Sequence, residues 1–233
     1  MFNSTQDSPR TDYKYLNTLG MLWLTFLFIA TFTAVKTFKI FGLEYSVAIV
    51  AYPLTYIFAD IFTEVYGYKV TRKTVWTGFF CLGIASALAW LYSIIPPSEN
   101  FTDNIAFQLI FKATPVVTVI TLLSFFSGEL VNSYILAKLK IFTKGRLAEL
   151  RYILSTLFGQ LVDNSIFVVG VFFLAGFFTR DSLIPIIISA VLFCTLVEIL
   201  MIPITRKVIA FIKNKEGIDT YDHTTNFSPF RIK

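Results

Sequence analysis

The chain has 233 residues, of which 55% are hydrophobic and 15% charged, and its mean hydropathy is +0.68. Soluble domains usually carry about 25% charged residues, so this composition excludes a large soluble domain. The net charge of +5 does not indicate a nucleic-acid-binding protein, because the basic residues lie between and beyond the apolar segments, as membrane topology requires.

Apolar segments long enough to cross a bilayer recur along the chain. The polar segment that precedes the first one, residues 1–14, has neither the basic leader nor the cleavage site of a secretory signal, so we expect the first span to be retained. The runs are far too long for the strands of a lipid-facing β-barrel. The six predicted spans are Tyr15–Val35, Leu43–Tyr68, Thr74–Ser98, Phe111–Ala137, Tyr152–Phe178 and Leu183–Thr205.

The sequence therefore predicts an all-α polytopic membrane protein with a six-helix transmembrane domain at residues 15–212. An N-terminal tail, 1–14, and a C-terminal tail, 213–233, flank it. With the N-terminus inside, 16 of the 20 lysines and arginines fall in cytoplasmic segments and 4 fall outside. The positive-inside rule then predicts that both termini are cytoplasmic.

The sequence contains no motif for a metal site, a disulfide framework or an ATP-binding site. Cys81 and Cys194 both lie in apolar runs, without the spacing of a zinc site or a disulfide framework. The single histidine, His223, lies in the polar tail, which excludes an HExxH metalloprotease site. A phosphate-binding P-loop is also missing, so the chain is not a primary pump. We expect neither a cofactor nor a metal.

Acidic residues inside the apolar segments are the strongest functional indication. Asp60, Glu129, Asp163 and Glu198 stand without a lysine or arginine in mid-span. Counted from the basic residues that mark the inner interface, all four lie roughly 12–18 Å deep, in one layer. A carboxylate inside a membrane faces the bundle interior, and the default interpretation is functional. Glu64 lies nearer the interface, where we expect a salt bridge that reaches the membrane surface.

A short pattern recurs around three of these acids: one small residue, one polar, two apolar and two polar. It occurs at 59–64, 128–133 and 159–164. Polar residues three positions apart share a helix face, and a small residue beside them permits close helix approach. The pattern adds these residues to the candidate site or its framework: Gly128, Asn132, Gly159, Gln160 and Asn164.

Prolines and aromatic residues lie near the acids. Pro53, Pro115, Pro185 and Pro203 fall in predicted spans, where a mid-helix proline would kink the helix and suit a moving gate. Aromatic rings beside carboxylates and amides could stack on a flat, donor-rich heterocycle. Of the aromatic residues near the acids, Tyr56 and Phe158 are our candidates for ligand contacts.

Three linked motifs closely resemble the queuosine precursor transporter family, also called the vitamin uptake transporter family. They are Tyr52-Pro53 with the run 59–68, the run 128–133, and the run 155–160 with Asp163 and Phe167. The first run includes Gly67, to which we give a structural or gating role together with Pro53, Glu64, Gly128, Gly159 and Pro203.

This resemblance implies import across the bacterial inner membrane of 7-deazaguanine bases, namely the 7-cyano and 7-aminomethyl precursors of queuosine, or queuine. Such a base would meet Glu129 or Asp163 at its guanine edge, with Asn132 and Gln160 on the carbonyl and ring edge. Asp60 and Glu198 would bind the substituent or carry a proton. The expected partners are the substrate and the lipid bilayer, with no nucleic acid; proton coupling and an oligomer are open.

Two alternatives remain at this stage. The chain could be the substrate-binding membrane subunit of a multi-component vitamin importer, although its small-xxx-small pair, Ala30 and Ala34, lies toward the side away from a cytoplasmic motor. Less favoured is an intramembrane aspartyl-type enzyme, because the loop motifs of such enzymes are missing. We expect a carrier and no enzyme.

Overall fold

The computed structural model describes residues 13–33, 36–40, 43–111, 115–175, 180–223 and 225–228. Most of the predicted N-terminal tail therefore lies outside the described residues. The elements, in chain order, are α1 (Leu16–Thr33), β1 (Thr37–Ile40), β2 (Leu43–Ser46), α2 (Tyr52–Tyr66), α3 (Tyr68–Ile94), α4 (Asn104–Phe111), α5 (Pro115–Phe142), α6 (Ala148–Ala175) and α7 (Leu183–Glu216). Short 3-10 turns, Val47–Val50 and Arg180–Ser182, precede α2 and α7.

Six of the described helices are long and apolar enough to cross a membrane, which confirms the predicted number of spans. They are α1, α2 with its preceding turn, α3, α5, α6 and α7. The eight-residue helix α4 is too short to span and lies between the third and fourth spans. Helix α7 continues to Glu216, past the boundary that we drew at residue 213, so the C-terminal tail begins as helix.

An antiparallel hairpin precedes α2, and its second strand lies where the sequence analysis placed the start of the second span. Strands β1 and β2 pair Thr37 with Ser46 and Ile40 with Leu43. The second span accordingly begins at Val47 instead of Leu43. In a run this short, hydrophobic periodicity cannot distinguish a strand from the first turn of a buried helix. The sequence analysis therefore missed the hairpin.

The prolines also differ from expectation. Pro53 lies in the first turn of α2, where the helix needs no backbone N–H and a fixed φ is favourable. Pro115 begins α5, and Pro185 lies in the first turn of α7. Pro203 lies inside α7 and is the proline of these four that removes a helical hydrogen bond. The expectation of a kinking, mid-helix proline is therefore wrong at Pro53, Pro115 and Pro185.

Two helices form the centre of the bundle. In the most apolar stretch of α2 and in that of α5, 61% of the residues are buried inside the protein. The corresponding share in the other four spans is 17–24%. Helix α1 packs on this centre through Trp23, which is buried against Phe62 and Phe125 with ring centroids 6.3 Å apart in both pairs. The acids of these two helices, Asp60, Glu64 and Glu129, are buried and face protein and not lipid.

Candidate functional site

The predicted acids converge in the interior of the bundle. Asp60 comes from α2, Glu129 from α5, Asp163 from α6 and Glu198 from α7, and each is no more than 3% exposed. Asn132 on α5 and Gln160 on α6 are fully buried among them. Burial of this many charged and amide groups is costly unless they bind each other, a proton or a ligand.

Asp163 is already held by two tyrosines. The hydroxyls of Tyr52 and Tyr56, one turn apart on α2, both donate to its Oδ2, that of Tyr56 over 3.2 Å. The rings of Tyr52 and Phe125 pack edge to face with centroids 5.6 Å apart, and those of Tyr56 and Phe125 do so at 6.3 Å. Asp163 is therefore hydrogen-bonded to α2. It needs fewer hydrogen-bond donors from a ligand than a buried carboxylate that has no donors around it.

Asp60 and Glu198 form a second pair. Asn132 Nδ2 donates to Asp60 Oδ1 over 2.9 Å, and the Thr156 hydroxyl donates to Glu198 Oε2. The two carboxyl groups are close enough to interact with each other. Two carboxyl groups this close require a proton or a cation between them.

Several buried polar atoms in this layer have no hydrogen-bond partner among the described residues. They are both carboxylate oxygens of Glu129, Oδ2 of Asp60, Oδ1 of Asn132, the hydroxyl of Ser133 and Nε2 of Gln160. Acceptors predominate, and Gln160 supplies an amide donor. Each orphaned group costs about 1–3 kcal/mol when it is buried, so the arrangement is complementary to a ligand rich in N–H donors that also carries an acceptor.

Asn164 orients that amide donor. Its Nδ2 donates to the backbone oxygen and to Oε1 of Gln160, both over 2.9 Å. With Oε1 engaged, Gln160 Nε2 is the end of the amide left for a ligand. Asn164 thus acts on the site through Gln160.

Phe158 does not join the site. Its side chain is 46% exposed, whereas Gln160, two positions later, is fully buried. Successive helical residues are rotated by 100°, so two positions apart means nearly opposite faces. The aromatic side chains that the structure brings to the acids are instead Tyr52, Tyr56 and Phe125, and Tyr52 is the residue that the site prediction should have included.

Two glycines bring α5 and α6 into close contact at the level of the acids. A Cβ at Gly128 would lie 2.4 Å from the Tyr56 hydroxyl and 2.6 Å from Asp163 Cβ. A Cβ at Gly159 would lie 2.8 Å from Asn132 Cβ and 3.0 Å from the backbone oxygen of Gly128. The small residues thus let α5 and α6 approach closely at the level of the polar side chains beside them.

Glu64 sits one turn along α2 from Asp60, in a cluster of opposite charges. Its carboxylate accepts from Arg151 over 2.8 and 3.3 Å and from Lys213 over 2.9 Å, and Lys140 Nζ lies 3.6 Å away. Glu64, Lys140 and Arg151 are each no more than 3% exposed. The expected salt bridge is thus present, and its carboxylate is buried between helices.

Replacing Arg151 by Met is expected to lower the free energy of unfolding by about 3 kcal/mol, because it removes the bidentate partner of a buried carboxylate. Thermal unfolding in detergent measures the effect. Arg146→Met is the matched control, since Arg146 is exposed near the start of the same helix. Equal stability of the two variants would contradict a structural role for the Arg151–Glu64 pair.

No group of three or more His, Cys, Asp or Glu side chains that could hold a metal ion occurs within the described residues.

Comparisons with known proteins place the chain among membrane transporters. Residues 46–208 match a family described as "putative vitamin uptake transporter". A relative from Bacillus subtilis (strain 168), named "probable queuosine precursor transporter", is 29% identical over 207 residues, which cover 88% of this chain and 90% of the relative. No solved structure matches the chain. The family match contains all of the buried acids described above.

Proposed function

This chain belongs to the vitamin uptake transporter family, and on that premise we propose that it carries 7-deazaguanine bases across the bacterial inner membrane for use in queuosine synthesis. The coarser part is established: the chain is a multi-pass membrane protein of a transporter family and not an enzyme. The proposal concerns the substrate, the residues that bind it and the membrane.

The buried, unpartnered carboxylate of Glu129 is the observation that carries the proposal. A 7-deazaguanine presents a ring N–H and an exocyclic amino group as adjacent donors, and one carboxylate can accept both. Asp163 was the other candidate for this role, but two tyrosine hydroxyls already occupy it. We therefore assign the guanine edge to Glu129.

The amides complete the recognition of the base. Gln160 Nε2 is the unpartnered donor, which suits the ring carbonyl of the base. Asn132 Oδ1 and the Ser133 hydroxyl are unpartnered on α5 and suit the remaining ring N–H. Tyr52, Tyr56 and Phe125 supply aromatic surface beside the acids for the flat ring.

Asp60 and Glu198 are assigned to the substituent or to a coupled proton. Their carboxyl groups are near enough to share a proton, and a cationic aminomethyl group could take its place. A neutral cyano group could not do so. Uptake of the two precursors is therefore expected to respond differently to changes at this pair.

The test is the queuosine content of tRNA in a bacterial host that lacks both precursor synthesis and its own importer. The host expresses this chain and receives nanomolar 7-cyano-7-deazaguanine, 7-aminomethyl-7-deazaguanine or queuine in separate cultures. Restoration by at least one base is the expected result and identifies the substrate. Failure with all three, with the protein present in the membrane, would overturn the proposal.

A further inference from the structure

On one side of the candidate site, a cluster of charged residues joins the helices of the bundle. Each helix that supplies an acid to the site also supplies one member of the Glu64 cluster. The members are Glu64 on α2, Lys140 on α5, Arg151 on α6 and Lys213 on α7. Along α2 the cluster is one turn, about 6 Å, from Asp60. It lies toward the ends of the bundle that carry the lysine- and arginine-rich connections, which we call the basic end.

A C-terminal strap, residues 217–223 and 225–228, packs over this cluster. Asp219 Oδ1 lies 2.7 Å from Lys140 Nζ and 2.8 Å from Lys213 Nζ. Lys140 Nζ also donates to the backbone oxygens of Glu64 over 2.6 Å and Thr220 over 2.7 Å. A single buried ammonium group thus joins α2, α5 and the strap.

The strap also covers the junction between α2 and α3. Gly67 separates the two helices with a φ of +85°, and a Cβ there would lie 2.7 Å from Thr220 Cγ2. Asp222 accepts from the first amide of α3, that of Tyr68, over 2.9 Å. A carboxylate is favourable at a helix N-terminus, so the strap caps a helix that is 154 residues away in sequence.

Further along, the strap is held by cations of α3 and α5. Arg72 Nη1 donates to the backbone oxygens of Asn226 over 2.8 Å and Ser228 over 2.5 Å. The ring of Phe227 packs on Tyr68 with centroids 5.1 Å apart, and Lys138 Nζ lies 4.0 Å from the ring centre of Phe227. The strap therefore binds α2, α3, α5 and α7 together at the basic end.

We propose that the Glu64 cluster and the C-terminal strap form the gate at the basic end of the transport path, and that both must release for the substrate to leave there. This inference rests on the proposed function in one respect, namely that the substrate binds in the layer of Asp60 and Glu129. A substrate in that layer reaches the basic end only when α2, α5, α6 and α7 separate, and the cluster joins those four helices.

Asp219 is the carboxylate of the gate that is most open to water. Its side chain is 39% exposed, whereas Glu64 is 3% exposed. Burial alone would raise the pKa of the Asp219 carboxyl, but the ammonium groups of Lys140 and Lys213 outweigh burial and hold its pKa below its usual range. Asp219 is thus charged at neutral pH, and its removal weakens the gate from outside the membrane-spanning helices.

Cys194 is a natural reporter for the gate. It lies one turn from Glu198 on α7 and is 4% exposed, at the level of the acids. In a Cys81→Ser background it is the single thiol of the chain. A small, charged, membrane-impermeant thiol reagent is added to vesicles whose outer face carries the basic end, as checked by proteolysis of a C-terminal tag. The rate of Cys194 modification is then compared among variants.

Three chains are compared with the parent: Asp219→Asn, a chain that ends at Glu216, and the control Glu99→Gln, which changes an exposed acid in the loop after α3. We expect modification from the basic end to be faster by about tenfold or more in the shortened chain, because several charge-assisted hydrogen bonds are lost, with Asp219→Asn intermediate. Glu99→Gln should match the parent.

Two results would overturn the gate: an unchanged rate in both Asp219→Asn and the shortened chain when both are inserted, or an equal acceleration from the opposite end. The tRNA assay described above is read separately. Faster modification of Cys194 without uptake of any deazaguanine would support the gate and reject the proposed substrate.

Discussion

Replacement of Glu129 by Gln is expected to raise the substrate concentration for half-maximal uptake by about 100-fold or more. Two hydrogen bonds to a carboxylate contribute about 1.5–3 kcal/mol each, and every 1.4 kcal/mol is a tenfold change in affinity. The amide also turns an N–H toward the donors of the base. Initial rates of uptake of a radiolabelled 7-deazaguanine, measured over a range of concentrations, give the value.

The matched control is Glu149→Gln, the same substitution at an exposed glutamate of α6 that pairs with Arg206. An exposed pair contributes little to stability, so this variant should transport like the parent. Asp163→Asn is the informative comparison, since Asp163 is bonded to Tyr52 and Tyr56. A large loss of affinity in Asp163→Asn together with normal affinity in Glu129→Gln would reverse the assignment of the guanine edge.

The layer of acids could be predicted because helix geometry converts sequence position into depth. Asp60, Glu129 and Glu198 each lie eight or nine residues from a basic residue at the same end of the bundle. At 1.5 Å per residue these positions fall at one level, whatever the helix order. The structure brings them together with Asp163, although the sequence could not say which acid would be bonded to which neighbour.

The partners of each acid depend on contacts between distant helices. Tyr52 and Asp163 are 111 residues apart, and Arg151 and Glu64 are 87 apart. No pattern in the sequence around either residue of a pair indicates its partner. Phe158 is different, because helical periodicity alone places it on the face opposite Gln160 and would have excluded it from the site.

The contacts of the C-terminal strap could not be predicted from the sequence either. Residues 213–233 are polar and basic, and such a segment is usually a solvated tail. In the structure Asp222 and the backbone oxygen of Asn226 instead satisfy groups on α3. The cytoplasmic position of both termini remains a prediction of the positive-inside rule.

Replacement of Gly128 by Ala is expected to disrupt both the packing of α5 on α6 and transport. The added Cβ would lie 2.4 Å from the Tyr56 hydroxyl and 2.6 Å from Asp163 Cβ, distances that require these groups to move. Overpacking of a buried site typically costs about 1–3 kcal/mol. The displaced groups form the Tyr56–Asp163 contact, so substrate binding should fall together with stability.

Gly83→Ala is the control, because the same substitution on α3 meets nothing within 4 Å. Thermal unfolding in detergent and uptake in whole cells are measured for both variants. Gly83→Ala should behave like the parent or be slightly more stable, since alanine favours the helix. Equal behaviour of the two variants would show that α5 and α6 can separate at this level without consequence, and the close approach of Gly128 to Gly159 would then have no part in forming the site.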